Sequence, residues 1–248
     1  MILEIDDLVG GYSRVPVLKK VSFKVEEGQL VGLIGLNGAG KSTTINHVIG
    51  LLHPFSGTIK VGGKQLKDDA EGYKAQIAYI PETPILYDEL TLREHLALTI
   101  RAYQMDEQAA WQRAQRLLKM FRLDNKLDWF PVDFSKGMRQ KVMIVAAFMT
   151  EAKLLVVDEP FYGLDPLAVH DLLNLIQEKK EQGVGILMST HVLDTAQRYC
   201  DRFVLLADGK VKTHPNKPRC LLPARTSKRA RPLSSRALPP SSAPVAWG

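Results

Sequence analysis

Within the first 28 residues of the chain, hydrophobic and polar residues alternate in two short stretches, with the period of two that is typical of strands with one buried face. The apolar positions of this alternation are Leu3, Ile5, Val21, Phe23 and Val25. Residues 56–63 repeat the pattern, with glycines near both ends. The alternation predicts a small antiparallel sheet at one edge of the fold.

Short apolar runs at residues 30–34 and 154–157 predict buried strands instead. Mostly apolar runs at residues 76–80, 184–188 and 202–206 predict three further strands. Between them, apolar residues recur at the helical spacing of three and four, within residues 45–49, 91–121, 137–149 and 172–179. Because strands alternate with helices, the chain is predicted to be an α/β protein with a mostly parallel sheet. The functional site of such a sheet lies at the carboxyl ends of its strands.

The helical period dominates between residues 88 and 150 and predicts a helical insertion in the α/β fold. One predicted helical face carries Leu92, His95, Leu96 and Thr99, and a second carries Ala110, Ala114, Leu117, Leu118 and Phe121. Pro131 interrupts the pattern, and a third helix is predicted to open at Gly137. After the last strand, Asp208 and Gly209 predict a hairpin turn.

The segment between the strand at 30–34 and the helix at 45–49 predicts a phosphate-binding loop. Glycines at 35, 38 and 40 are expected to allow backbone conformations that side chains forbid, so that N–H groups converge on phosphate oxygens at a helix N-terminus. Lys41 would add charge at the outer phosphates, and the Ser42 hydroxyl would hold Mg²⁺. A chance glycine-rich turn is the alternative, but it leaves the flanking strand and helix unexplained. The predicted nucleoside triphosphate site comprises Gly35, Asn37, Gly38, Ala39, Gly40, Lys41, Ser42 and Thr43.

Two adjacent acids, Asp158 and Glu159, follow the apolar run at 154–157. A carboxylate at the end of a strand can reach a Mg²⁺ ion held by the loop that follows another strand. Asp158 is therefore predicted to coordinate the ion through water, and Glu159 to orient and polarise the attacking water. The alternative is a solvated turn that begins with two acids.

His191 and Tyr12 complete the candidate site. His191 follows the apolar run at 184–188 and is predicted to contact the γ-phosphate and the water. The alternative is an ordinary surface histidine, since the chain contains six histidines. Tyr12 precedes the glycine loop and could stack on a nucleobase, or it could simply pack against the fold.

Composition places the basic character of the chain at its C-terminal end. The 248 residues carry a net charge of +6, and residues 213–248 contain seven of the 33 basic residues and no acidic residue. Residues 1–212 therefore hold 26 basic and 27 acidic residues, a charge of about −1. The last 36 residues also hold seven of the 14 prolines. This composition predicts a disordered tail at 213–248 beside a folded domain at 1–212.

Two further features of the composition concern localisation. No apolar run approaches the ~20 residues that cross a bilayer, and no basic segment followed by an apolar one begins the chain. The two cysteines, Cys200 and Cys220, form neither a disulfide framework nor a metal-ligand cluster. We expect a protein of a reducing compartment that is neither secreted nor membrane-spanning by itself.

Over residues 1–212, the motifs together resemble the nucleotide-binding domain of the ATP-binding cassette family. Residues 35–43 look like its Walker A motif, and residues 154–159 like its Walker B motif. The discriminating segment is Phe-Ser-Lys-Gly-Met-Arg-Gln at 134–140, which is similar to the family signature, while residues 163–165 are similar to the D-loop. The resemblance implies that Ser135 and Gly137 contact ATP, that His191 is the switch histidine and that Tyr12 stacks on adenine.

The chain departs from the family pattern at two places. Glu82 stands where the family has the glutamine of its Q-loop; a carboxylate can still ligate Mg²⁺ there but brings a negative charge. Lys136 and Met138 replace the Gly and Gln of the signature. Ser135 and Gly137, the residues most needed at a phosphate, are retained.

By resemblance, the chain is expected to be the Mg²⁺-dependent ATPase subunit of a membrane transporter, on the cytoplasmic face of the cell membrane. Two ATPase subunits, identical or different, would enclose ATP head to tail and drive an integral-membrane subunit through a groove near residues 82–90. The short insertion and the altered signature favour an exporter. The alternative is a soluble cassette ATPase that acts on ribosomes or DNA. Such proteins usually have two cassettes or long coiled-coil arms, and nucleic acid is therefore not expected as a partner.

Overall fold

The computed structural model of the chain describes residues 1–191 and 198–212. Structural statements below refer to those residues. The predicted tail at 213–248 lies outside them. Within the described ranges, no helix is both long and apolar enough to cross a membrane.

The described elements follow in chain order as strands alternating with helices. They are β1 (Leu3–Tyr12), β2 (Val15–Val25), β3 (Leu30–Ile34), α1 (Lys41–Val48), β4 (Ser56–Val61), α2 (Ala70–Lys74), β5 (Ile77–Ile80), α3 (Leu92–Ala102), α4 (Glu107–Phe121), a 3-10 turn (Pro131–Asp133), α5 (Lys136–Phe148), β6 (Leu154–Asp158), α6 (Pro166–Glu181), β7 (Gly185–Thr190), β8 (Arg202–Ala207) and β9 (Lys210–Val211).

The larger sheet has the strand order β5-β6-β7-β3-β8-β9. Its first five strands run parallel, and β9 returns antiparallel to β8 through a turn in which Asp208 and Gly209 both have positive φ. This turn geometry matches the predicted hairpin. The order brings the carboxyl ends of β5, β6, β7 and β3 side by side at one edge, where α/β proteins bind their ligands.

The smaller sheet is antiparallel with the order β2-β1-β4. Alternate residues of β2 are buried from Val21 to Val25, at Val21, Phe23 and Val25, as the period of two predicts. The parallel sheet and the antiparallel sheet together confirm the predicted α/β fold class.

Three helices, α3, α4 and α5, lie within residues 92–148, and side chains that cap the helix N-terminus precede them. Thr91 caps α3 with a reciprocal capping box to Glu94, and Asp106 caps α4 through the backbone of Ala109. The predicted face of α3 is buried at Leu92, His95 and Leu96, and Thr99 on the same face is partly buried. Ile100 is buried as well, which widens the buried face beyond the predicted residues.

The core lies on both faces of the parallel sheet. Consecutive residues of β6 point to opposite sides, so that Leu155 and Val157 pack with the helices while Leu154 and Val156 pack with the antiparallel sheet. All four side chains are buried. This double burial explains why the sequence of β6 is apolar throughout.

A tight contact joins the antiparallel sheet to α1. The His47 ring is buried, and its Nδ1 lies 2.7 Å from the carbonyl oxygen of Thr43. Because a carbonyl only accepts, Nδ1 carries the proton of the neutral ring. The ring presses against Gly10 of β1, where an added Cβ would lie 2.1 Å from His47 Nε2. Only glycine fits at position 10 beside this ring.

We predict that Gly10→Ala lowers the free energy of unfolding by about 1–3 kcal/mol, the usual cost of overpacking. Urea unfolding of the purified protein would measure it. The same substitution should cost clearly less in a His47→Ala background, because the clashing ring is then absent. An equal cost in both backgrounds would show that the ring is not the obstacle.

Candidate functional site

The glycine loop lies between β3 and α1 at the edge of the parallel sheet. Gly38 and Gly40 have φ of 81° and 107°, which side chains rarely adopt. The prediction for Gly35 needs a correction, because its φ is not in the positive range. An added Cβ there would lie 2.5 Å from the Leu206 carbonyl oxygen, so close packing requires this glycine rather than backbone freedom.

Lys41 begins α1 and is almost completely buried, with 7% of its surface exposed. Its Nζ donates a hydrogen bond to the Gly35 carbonyl at 2.8 Å and lies 3.8 Å from Glu159 Oε1. Ser42, the next residue, is exposed. A buried ammonium thus stands beside an accessible hydroxyl at a helix N-terminus, an arrangement that suits phosphate oxygens.

Asp158 ends β6 as a buried carboxylate. Ser189, which faces it from the adjacent strand β7, donates its hydroxyl proton to Asp158 Oδ1. The same Ser189 oxygen accepts a hydrogen bond from the Glu159 N–H at 3.1 Å. One hydroxyl therefore holds the side chain of the first acid and the backbone of the second.

Burial raises the pKa of Asp158 above its usual value, and the nearby Glu159 charge acts in the same direction. Hydrogen bonds from Ser189 and Ser42, together with the Lys41 charge, act against that rise in the pKa. The link to Ser42 places the Asp158 carboxylate next to the hydroxyl at the start of α1. Cationic or hydrogen-bonding ligands are therefore favoured at this carboxylate.

The Glu159 carboxylate stands between a lysine and a histidine. Its Oε2 lies 2.9 Å from His191 Nδ1, and its Oε1 is the atom that faces Lys41. Glu159 is 13% exposed and His191 62% exposed, so the histidine sits on the solvent side of the carboxylate. Glu159 also has φ of 45°, an uncommon value for a residue with a side chain, and such values cluster at functional sites.

Glu82 and Tyr12 lie at the margins of this cluster. Glu82 follows β5 and is exposed; its charge and that of Asp158 both raise the pKa of Tyr79, after the larger effect of burial. Tyr12 ends β1, and its hydroxyl accepts a hydrogen bond of 3.2 Å from the amide of Asn46 in α1. The aromatic ring is thereby held against the helix that follows the glycine loop.

Ser135 and Gly137 lie apart from the glycine loop. Ser135 caps α5, where its oxygen accepts from the Met138 N–H at 3.3 Å, and Gly137 packs against the carbonyl of Gly163. No hydrogen bond between described residues joins either of them to residues 35–43. The structure thus gathers Lys41, Ser42, Asp158, Glu159 and His191 and leaves the signature residues elsewhere.

Sequence reasoning did not assign a role to Ser189 or Asn46. The sequence carries one signal for Ser189, because Ser189 and Thr190 directly follow the apolar run at 184–188. The predicted strand ends at 188, whereas β7 extends to Thr190 and buries both polar side chains. Asn46 has no such signal, since its bond to Tyr12 spans 34 residues of sequence.

Comparisons with known proteins agree on one family. The family model for the ABC transporter matches residues 18–162. The ABC-type transporter ATP-binding protein EcsA of Bacillus subtilis (strain 168) is 56% identical over 211 residues, which cover 85% of each chain. The Nod factor export ATP-binding protein I of Burkholderia lata is 34% identical over 194 residues, 78% of this chain and 64% of that protein. A solved structure of the ATP binding subunit of an ABC transporter has 56% identity and a TM-score of 0.84, covering 86% of this chain and 89% of that one.

The pKa of Asp158 yields a prediction on stability. Because that pKa is raised by folding, ionised Asp158 destabilises the folded state at pH 7, and the deficit disappears as pH falls through the folded-state pKa. Asp158→Asn is therefore expected to raise the melting temperature at pH 7 and to have a smaller effect at pH 4. Thermal unfolding followed by circular dichroism at both pH values would measure this.

Asp165→Asn is the control of opposite sign. A hydrogen bond from Lys141 holds the pKa of Asp165 below its usual value, so its ionised form stabilises the folded state. The variant should melt at a lower temperature than the wild type at pH 7, and the difference should fade as pH falls through that lowered pKa. If Asp158→Asn also melts at a lower temperature than the wild type at pH 7, the ionised Asp158 carboxylate does not destabilise the folded state as its burial implies.

Proposed function

The chain belongs to the ABC transporter family as an ATP-binding, ATP-hydrolysing subunit, and we propose that it powers export through a separate membrane protein. The relatives support a transport ATPase rather than an ATPase that acts on ribosomes or nucleic acid. The charge of about −1 over residues 1–212 also gives nucleic acid little to attract it.

One observation carries the proposed mechanism: the Glu159 carboxylate lies between His191 Nδ1 at 2.9 Å and Lys41 Nζ at 3.8 Å. Lys41 marks where the outer phosphates of ATP would lie, because it begins the helix that follows the glycine loop. A carboxylate at that position can accept a proton from a water that attacks the γ-phosphorus. His191 would hold the carboxylate and contact the γ-phosphate from the solvent side.

The glycine loop would bind the rest of the triphosphate. Backbone N–H groups of residues 35–43 would donate to its oxygens, as in other loops that open a helix. Tyr12 would stack on the base, held in place by Asn46. The positions of these residues at the glycine loop and at the end of β1 support the proposed roles.

The donor set near Ser42 fits Mg²⁺. This ion prefers oxygen ligands and is usually held by one or two carboxylates together with substrate phosphates. The Ser42 hydroxyl and the Asp158 carboxylate are adjacent, and Glu82 follows the neighbouring strand β5. Bound Mg²⁺ would neutralise charge on the phosphates. We propose that Ser42 would be a direct ligand, Asp158 a ligand through water and Glu82 a further oxygen ligand.

A second ATPase subunit would complete the site. Among the described residues, Ser135 and Gly137 make no hydrogen bond to the glycine loop of their own subunit, and we propose that they contact ATP held by another copy or a related chain. Although Ser135 accepts from the Met138 N–H, its own O–H can still donate to a phosphate oxygen. Head-to-tail pairing would bring this hydroxyl to the partner's nucleotide.

The membrane subunit would dock beside Glu82. Exposed apolar side chains lie within the predicted groove at Ile85 and Tyr87, and others lie in the helical region at Leu98, Trp129, Phe130 and Val132. Exposed apolar patches often mark protein interfaces. We propose that this surface holds the chain on the cytoplasmic face of the cell membrane. The likeness to a Nod factor export protein supports the outward direction.

Lys41→Ala is expected to reduce the ATP hydrolysis rate at least about 10²-fold, because a charge aimed at the transferred phosphate is lost. Phosphate release from the purified protein would measure the rate, and circular dichroism would confirm that the variant is folded. Lys64→Ala is the matched control, since Lys64 forms a surface ion pair with Asp69 far from the glycine loop in sequence. Hydrolysis by Lys41→Ala at the wild-type rate would contradict the assigned role.

Glu159→Gln is expected to bind ATP and Mg²⁺ but to hydrolyse ATP about 10²–10⁴-fold more slowly, because the general base is removed. The closed dimer should then persist and elute earlier from a sizing column with ATP than without it. Adding Ser135→Arg should abolish the dimer but leave ATP binding by each monomer. The experiment is repeated with the membrane subunit, so that a missing partner chain is supplied; no association there would contradict the shared site.

A further inference from the structure

The N-terminal part of α5 is attached to the segment after Glu159 at three successive points. We call this segment, residues 160–165, the post-Glu159 loop. Lys136 Nζ lies 3.9 Å from the centre of the Tyr162 ring. Gly137 faces Gly163, and Lys141 Nζ lies 2.6 Å from Asp165 Oδ2.

The contact between Lys136 and Tyr162 holds a positive charge at the N-terminus of α5, where the helix dipole disfavours it. Lys136 is the first residue of α5, and a cation near a helix N-terminus opposes the helix dipole. The ammonium lies over the face of Tyr162, where the ring offers compensating negative potential. The lysine stem also passes Gly163, with Cγ 3.7 Å from the position of an added Cβ. Lys136 therefore extends along the loop of its own subunit.

The second contact is between two backbones. A Cβ added to Gly137 would lie 2.5 Å from the Gly163 carbonyl oxygen, so no larger residue fits between helix and loop. Gly163 has φ of 80°, which allows the loop to turn its carbonyl toward α5. The helix start and the loop cannot move toward each other.

The third contact fixes the end of the loop. The side chain of Lys141 is only 11% exposed, and it holds the Asp165 carboxylate, which also caps α6 through the Ala168 N–H at 2.8 Å. Asp165 is thus bound from α5 and from α6. The loop between Glu159 and Asp165 therefore has both ends defined, because Glu159 is itself bound to Ser189.

We propose that the Lys136–Tyr162 contact is a positioning contact that couples Ser135 to Glu159 within one subunit. Ser135 immediately precedes Lys136, and Glu159 is separated from Tyr162 by two residues. A displacement of the α5 start, caused by a nucleotide bound at Ser135, is transmitted along the loop to the carboxylate. Lys136 and Tyr162 touch no reacting atom. The inference rests on the proposed roles of Ser135 and Glu159.

The test compares variants that remove the contact with variants that keep it. Tyr162→Leu and Lys136→Met remove the ring face or the cation, whereas Tyr162→Phe and Lys136→Arg retain them. Lys126→Met is the matched control, because Lys126 lies 3.6 Å from the Trp129 ring in a contact of the same kind that involves neither α5 nor the post-Glu159 loop. For each full-length variant, kcat for ATP hydrolysis, ADP affinity and melting temperature are measured.

We expect Tyr162→Leu and Lys136→Met to lower kcat about twofold to fivefold, the factor that corresponds to about 0.5–1 kcal/mol. ADP affinity and melting temperature should stay at wild-type values, since both side chains are exposed and neither belongs to the glycine loop. Tyr162→Phe, Lys136→Arg and Lys126→Met should keep the wild-type kcat. In the Glu159→Gln background, Tyr162→Leu should still form the ATP-dependent dimer.

Three results would overturn the inference. Tyr162→Leu could hydrolyse ATP at the wild-type rate, Tyr162→Phe could lose as much activity as Tyr162→Leu, or the loss could follow an equal drop in ADP affinity. Wild-type protein that does not hydrolyse ATP would overturn the proposed function and this inference with it. Wild-type hydrolysis beside an unaltered Tyr162→Leu rate overturns the inference alone.

Discussion

A buried carboxylate at the end of β6 organises the edge of the sheet. Asp158 is removed from water, and the hydroxyls that satisfy it come from two other elements, Ser189 in β7 and Ser42 in α1. Because an unsatisfied buried charge is costly, these elements must keep their relative positions. The same Ser189 oxygen orients the backbone of Glu159, which brings its carboxylate between Lys41 and His191. The proposed chemistry depends on this order of contacts.

Most of the fold follows from local periodicity. The apolar runs that are buried on both faces became β3, β6 and β7, since a strand between two cores has no polar side. Two elements were not predicted, α2 and the 3-10 turn, because five and three residues are too few for an amphipathic period to appear.

The sequence pointed to the residues near the proposed phosphate site because each follows a buried strand, and parallel strands end at a common edge. It could not reveal contacts that join distant segments, such as Asn46 with Tyr12 or Lys136 with Tyr162. Gly35 shows a further limit. A glycine in a phosphate loop is ordinarily explained by φ, whereas here the neighbouring strand β8 crowds it through the Leu206 carbonyl. Crowding of this kind becomes visible only when the strand order is known.

The strand order also sets the size of the site. β7 lies between β3, which leads to the glycine loop, and β6, which ends in the two acids. Neighbouring strands lie about 4.8 Å apart, so the ends of β3 and β6 are separated by roughly 10 Å. Main-chain hydrogen bonds maintain that interval, and exchange of a side chain leaves it unchanged. The strand spacing therefore sets the distance between the glycine loop and the two acids. Substitutions at this edge can change the chemical groups that face each other across that distance more readily than the distance itself.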